Sequence, residues 1–267
     1  MEYQKFIPEG WEETKDEINR NVLQDAFITG KVLQGYVNEC DTNFNLYINL
    51  GNNIKGVIPR NEFEGINIDE FGFCNPGICK NKVNKFVQFK VKEIYDDFSV
   101  ILSRKGVQQD ALNWAIQELE PGMVVKGIVR NMRKFGAFIE IGGGVVGLLH
   151  IEDMSISRIK SPEERFFIGQ KINVMIKSID KENNKVVLSY KELLGDWDEN
   201  IKEFSEKTVV EGIVKETDKF KNGIFIELKP NLVGLAEYKD NVQYGQKVNV
   251  YIKKIIKERK KIKLLII

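Results

Sequence analysis

Apolar and polar side chains alternate along short stretches of this chain. VQFKVKEI from Val87, INVMIKSI from Ile172 and VNVYIKKI from Val248 place Val, Ile, Phe or Met at every second position. A period of two predicts strands with one face buried, and turn residues such as NPG and GGG separate them. Between the strand-rich blocks the period lengthens to 3.6. In YKELLGDWDENIKEF, Tyr190, Leu193, Leu194, Trp197, Ile201 and Phe204 fall on one helical stripe. RKGVQQDALNWAIQELEPG and PEGWEETKDEINRNVLQDAF predict two further helices. Each predicted helix carries one of the three tryptophans, Trp11, Trp114 and Trp197, expected to seat it against a strand block.

The strand blocks repeat. ITGKVLQG from Ile28, VVKGIVRN from Val124 and VVEGIVKE from Val209 begin alike, and anchoring on Gly30, Gly127 and Gly212 brings other columns into line. FNLYINLG from Phe44 matches FGAFIEIG from Phe135, and GAFIEI from Gly136 matches GIFIEL from Gly223. KGVIP at Lys55, VGLLH at Val146 and VGLAE at Val233 follow in the same order. Such self-similarity marks a repeat architecture. About five short strands per unit fit a small closed barrel, which leaves no free sheet edge. The predicted division is an acidic helix over 1–27, a first barrel over 28–105, a linker helix over 106–121, a second barrel over 122–190, a linker helix over 191–205 and a third barrel over 206–267.

Composition changes this picture in two ways. The 267 residues carry a net charge of only +1, yet 122–191 hold twelve basic against seven acidic residues, and 206–267 hold fourteen against eight. Basic blocks of this kind attract a polyanion despite a neutral total. The start lacks an apolar signal segment, no apolar run is long enough to span a membrane, and the three cysteines have no framework spacing. A cytoplasmic protein without membrane association is expected. Cys74 and Cys79 flank Asn75-Pro76-Gly77, but Cys40 is distant and the single histidine lies in another repeat. No metal and no other cofactor is therefore expected. Nor is a phosphate loop or a nucleophile–base pair evident, so no enzyme is expected.

The chemistry concentrates in RKFGAFIEIGGGVVGLLH, residues 133–150. Strand alternation points Ile139 and Ile141 to one face and Phe138 and Glu140 to the other. Because Glu140 favours water, Phe138 is expected on the outer face. A bulge at Gly136 would bring Phe135 to the same surface. His150 ends the next strand beyond the Gly142-Gly143-Gly144 turn, and Arg130, Arg133 and Lys134 flank the rings. Exposed rings among cations suit single-stranded nucleic acid: bases stack on the rings and phosphates meet the cations.

Residues 133–150 resemble the RNA-binding domain of the ribosomal protein S-one family. The shared pattern is a basic residue, F-G-A-F, a glycine turn, G-L-x-H and a later D…K-x-x-L-S, carried by Lys134, Phe135–Phe138, Gly147–His150, Asp180 and Lys185–Ser189. SISRIKSPEERFFIGQKI resembles that family's long third loop, although Ile156 and Ser161 replace a Trp and a His often found there. The resemblance implies an all-β fold class with short connecting helices: three tandem five-stranded OB-fold barrels. It further implies that Phe135, Phe138 and His150 contact bases, that Arg158 and Lys185 approach phosphates, and that Asp180 supports the site by hydrogen bonding.

The outer units depart from the pattern. The first keeps Phe44 and Tyr47 in the ring positions, but Pro59 replaces the histidine, no basic pair precedes Phe44, and NEFEGINIDEFGFCNPGICKNK is inserted. The third keeps Phe225 but has Asn222, Glu237 and Ile256 where the middle unit has Phe135, His150 and Asp180. Its KKIIKERKKIK run, including Lys261, compensates with charge. The middle barrel is thus expected to be the principal stacking site, the third an electrostatic reinforcement and the first a docking or structural module. Phe44, Tyr47, Phe225 and Lys261 are secondary RNA candidates. The expected function is binding of single-stranded RNA, in particular messenger RNA, in translation or at the small ribosomal subunit of a bacterium. The alternative is a protein-interaction adaptor docking on the ribosome or an RNA-decay complex.

Overall fold

A computed structural model describes residues 4–12, 18–51, 54–65, 68–70, 72–96, 99–217 and 223–267. Three five-stranded closed barrels follow one another. The first contains β1 (Leu33–Cys40), β2 (Leu46–Asn49), β3 (Lys55–Ile58), β4 (Phe86–Ile94) and β5 (Ser99–Ser103). The second contains β6 (Val124–Arg133), β7 (Gly136–Gly142), β8 (Val145–His150), β9 (Lys171–Asp180) and β10 (Lys185–Ser189). The third contains β11 (Val209–Thr217), β12 (Ile224–Lys229), β13 (Leu232–Ala236), β14 (Lys247–Ile256) and β15 (Lys261–Ile266). In each, the third and fifth strands run parallel, as β3–β5, β8–β10 and β13–β15, and the first and fourth close the ring. This is the OB-fold arrangement that the strand spacing and the resemblance implied.

The short helices are α1 (Arg20–Thr29), α2 (Arg60–Phe63), α3 (Pro76–Lys80), α4 (Lys105–Gln117) and α5 (Trp197–Asn200). Among the described residues no helix is long and apolar enough to cross a membrane. Two compact units divide the chain: Met1–Ile128 with Ile139–Gly147 and Ser178–Val186, and Val129–Phe138 with Leu148–Lys177 and Val187–Ile267.

Helix α1 corrects two expectations. Asn19 caps it by accepting from Val22 N, Leu23 and Ala26 bury in the first barrel's core, and the helix runs on to a left-handed Gly30. The expected acidic helix over 1–27 is therefore absent from residues 4–12, which have no helical turn, and its 13–17 portion lies outside the described residues. The repeat anchor shifts as well. Val37, Val129 and Val214 each accept from an amide of the following cross-barrel turn, from Asn84, Gly169 and Gly245. Gly35, not Gly30, stands in column with Gly127 and Gly212. Both Gly35 and Gly212 face an isoleucine of the next strand, Ile48 and Ile226, where a Cβ would collide.

The segment over 191–205 is broken, not one helix. Gly195 adopts φ 76°, and Asp196 starts α5 with a capping box to Glu199. A local side chain–backbone cap outcompetes the continuous stripe. Trp197 nevertheless joins the third barrel's core, and Trp114 of α4 is buried against Phe6, with ring centroids 5.7 Å apart. Trp11 lies in a bend instead of a helix, with the Lys126 ammonium 5.6 Å from its ring centroid.

The second and third barrels share one device at the hairpin joining their second and third strands. Glu140, expected in water, is 2% exposed. It accepts from Gly144 N at 3.1 Å and from Glu9 N at 2.8 Å. The hairpin tip Gly142-Gly143-Gly144 lies so close to Phe6, Ala111 and Arg104 that a Cβ at any of the three positions would collide. Arg104, fully enclosed, pairs with Glu9 and Glu64. In the third barrel the column-mate Glu227, 5% exposed, pairs with Arg165 and Lys215. Its hairpin tip receives Ser157 N on Pro230 O at 3.0 Å and Ile156 N on Asn231 Oδ1 at 3.1 Å. Asn231 in turn donates to the carbonyls of Lys191 and Gly195. A buried carboxylate needs hydrogen-bond donors or a paired cation, and Glu140 has the first and Glu227 the second.

Candidate nucleic-acid interface

Phe135 sits in the turn between β6 and β7, 49% exposed, and half-buried Phe138 follows on β7 between buried Ala137 and Ile139. Their rings meet edge to face, with centroids 6.1 Å apart and planes at 84°. Such a pair packs favourably while leaving π-face to solvent. Gly136 is required here for close approach: an added Cβ would stand 2.6 Å from Leu149 O. The turn is tied to the end of β8 by Ile151 N donating to Phe135 O at 2.9 Å. His150, at that end, is half-exposed, and its Nδ1 accepts from Glu152 N at 3.4 Å. The backbone therefore brings Phe135, Gly136 and His150 side by side. Arg133 and Lys134 are exposed at the end of β6 and in the turn, whereas Arg130 is half-buried.

Arg158 is exposed and reaches Glu216 of β11 at 3.3 Å. Asp180 accepts from Asn183 N at 3.1 Å and Asn183 Nδ2 at 2.8 Å within its own turn. Those bonds hold its carboxyl below the usual range. Lys185 opens β10, exposed. The long third loop, residues 151–170, is occupied with the third barrel. Besides Arg158 and Arg165, Glu164 accepts from Lys215 at 2.9 Å and from Tyr244 Oη at 2.7 Å, and Lys160 sits 3.8 Å from the Tyr244 ring centroid.

Asp153 was not foreseen from sequence. It is buried beyond His150 and accepts from Lys177 Nζ at 2.7 Å and Lys191 Nζ at 2.9 Å. Burial disfavours its charge, but the two ammonium groups prevail and keep its carboxyl below the ordinary range. An acidic residue between two distant lysines carries no periodic signal, so only packing reveals it.

In the outer barrels Phe225 is 42% exposed, opposite Leu235, and Lys261 is exposed at the start of β15. Asn222 lies outside the described residues. Phe44 and Tyr47 are half-buried, and the Tyr47 hydroxyl donates to Asp41 at 3.3 Å.

Residues 118–191 match the S1 RNA binding domain. The small ribosomal subunit protein bS1 of Staphylococcus aureus strain COL is 32% identical over 94% of this chain. Residues 118–191 therefore carry an S1 domain. The bS1 of Staphylococcus saprophyticus is likewise 32% identical, over 85% of the chain and 53% of its own length. The chain spans 65% of the length of the Staphylococcus aureus relative. Among solved structures, that of GSP13 from Bacillus subtilis is 28% identical, covering 28% of this chain and 58% of that one at a TM-score of 0.28. The S1 match falls on the barrel that carries Phe135, Phe138 and His150, the unit in which the family pattern is most complete.

Proposed function

We propose that this protein binds single-stranded RNA, messenger RNA in particular, in the bacterial cytoplasm, and acts in translation in association with the small ribosomal subunit. The middle barrel is the principal site. Phe135, Phe138 and His150 contact bases, and Arg130, Arg133 and Lys134 contact phosphates. Phe225 and Lys261 reinforce binding on the third barrel. One observation carries the reading: two phenylalanines in edge contact at the surface, fixed beside a half-exposed histidine and preceded along the chain by the exposed cations Arg133 and Lys134. A protein core has no use for a half-exposed ring beside Arg133 and Lys134, whereas a base presents a π-face to the ring and a phosphate to the cation. The S1 domain match over residues 118–191 and the similarity to bS1 proteins support the same reading.

Fluorescence anisotropy with a labelled single-stranded RNA tests it. Phe135→Ala, Phe138→Ala and His150→Ala should each weaken binding, the ring deletions by about 1–3 kcal/mol, with the thermal melt nearly unchanged. Wild-type affinity should also fall steeply between low and moderate salt. Little RNA binding at any salt would overturn the proposal in favour of a protein-docking role.

A further inference from the structure

The first barrel presents its ring position in an unusual way. Phe44 occupies the column of Phe135 but holds a left-handed backbone, φ 64°. That conformation is fixed by Phe44 N donating to Asp41 O, while Asp41 Oδ1 accepts from Asn43 N and Asn45 N. Two cations face the ring so presented. The Arg60 guanidinium carbon is 5.3 Å from its centroid, and Lys80 Nζ is 5.4 Å away. Arg60 also lies 5.1 Å from the centroid of Phe73, which is 37% exposed.

Apart from Phe44, these groups follow β3: Arg60 begins α2, and Phe73 and Lys80 come from the insertion. The insertion is anchored by buried Cys74 and Cys79, and Arg60 Nε and Nη2 donate to Cys74 O at 3.2 and 2.9 Å. Among the described residues no carboxylate pairs with Arg60 or Lys80. Several neighbouring cations behave differently. Lys82, Lys90, Lys92 and Arg104 of the same barrel all have carboxylate partners.

We propose that Phe44, Arg60, Phe73 and Lys80 form a second binding site for single-stranded RNA, rebuilt on the first barrel by its insertion. This rests on the RNA-binding reading above and replaces the structural role that the missing basic pair before Phe44 implied. The basic pair is supplied from the opposite side, after β3 instead of before β2. A guanidinium packed against two rings and tied to Cys74 O through Nε and Nη2 is already ordered, so its Nη1 edge loses little freedom on meeting a phosphate. The half-exposed rings offer stacking faces to the adjoining bases. Lys80 adds a point charge at the rim.

The test uses the full chain. In a Phe135→Ala/Phe138→Ala background, residual binding of a labelled oligouridylate should drop further on adding Lys80→Gln. The slope of log Kobs against log salt should become shallower by about 0.7, one phosphate contact on a single strand. Phe73→Ala should weaken binding by about fivefold to a hundredfold. RNA carrying 5-iodouridine should photo-crosslink to wild type at Phe44 or Phe73. Lys80→Gln and Phe73→Ala are also made singly in the wild-type chain, so that failure of the middle-barrel rings leaves the first-barrel result readable. Unchanged affinity and slope in Lys80→Gln, together with no cross-link in the first barrel, would overturn the site.

Discussion

The hairpins of the second and third barrels carry nearly the same sequence, GAFIEI and GIFIEL, and place the same glutamate out of water. Their partners differ. Glu140 is satisfied by two peptide N–H groups, beside an arginine that itself neutralises Glu9 and Glu64. Glu227 is satisfied directly by two cationic side chains, Arg165 and Lys215. The tips differ accordingly. Three glycines allow the backbone of the second barrel's hairpin to approach Phe6 and α4 without a Cβ, whereas Pro230-Asn231 uses a carbonyl and an amide side chain as hydrogen-bonding groups. The repeat thus conserves the position of a buried acceptor and leaves the donor to each junction.

That comparison can be broken most severely at Arg104. Arg104→Ala leaves Glu64 buried without a cation and Glu9 with Lys82 alone, and should cost about 3–5 kcal/mol in chemical denaturation. A loss below about 1 kcal/mol would mean that the first junction does not depend on charge. Glu227→Ala should cost less, about 1.5–3 kcal/mol, because Lys215 retains Glu164 as a partner. Hydrogen exchange should then accelerate at Ser157 and Ile156, whose amides donate to the third barrel's hairpin tip. The smallest effect is on acid sensitivity. Burial opposes the charge of Glu9, but Arg104 and Lys82 overcome it and hold its carboxyl well below the usual range. Its stabilisation is therefore full above the unfolded carboxyl value of about 4 and is lost as pH falls towards the folded value. The denaturation midpoint should decline below about pH 4, and Glu9→Gln should flatten that decline.

Much of the architecture was legible from alternation alone. Strand periodicity and the matched columns predicted three barrels of five strands, since an apolar residue at every second position buries only one face. The errors lie where local chemistry outcompetes periodicity. Asn19 and the left-handed Gly30 drew ITGKV towards α1 instead of β1, and Asp196 with Gly195 divided a helix that the apolar stripe made continuous. At the candidate site, the pairing of Phe135 with Phe138 was legible, but strand alternation is not what sets it. Glu140 is buried, and Gly136 is required by the approach of Leu149 O, not shown to relieve a bulge. Arg158 and Asp180, candidates in sequence, bond to Glu216 and Asn183, partners that no motif announces. Arg60, Phe73 and Lys80 had no signal as a group, because they converge on Phe44 from positions up to 36 residues away along the chain.

The chain by itself determined the number of barrels, the strands within each, and the middle unit as the one with the fullest family pattern. All of these follow from side-chain period and local motif, which are properties of neighbours in sequence. Only the tertiary structure decided which charges are spent on pairing. Arg158, Arg165 and Lys215 are bound to carboxylates of another strand or loop, whereas Arg60 and Lys80 face rings. Whether a cation is available to a polyanion depends on what folding brings within about 4 Å of it, and no spacing along the chain records that distance.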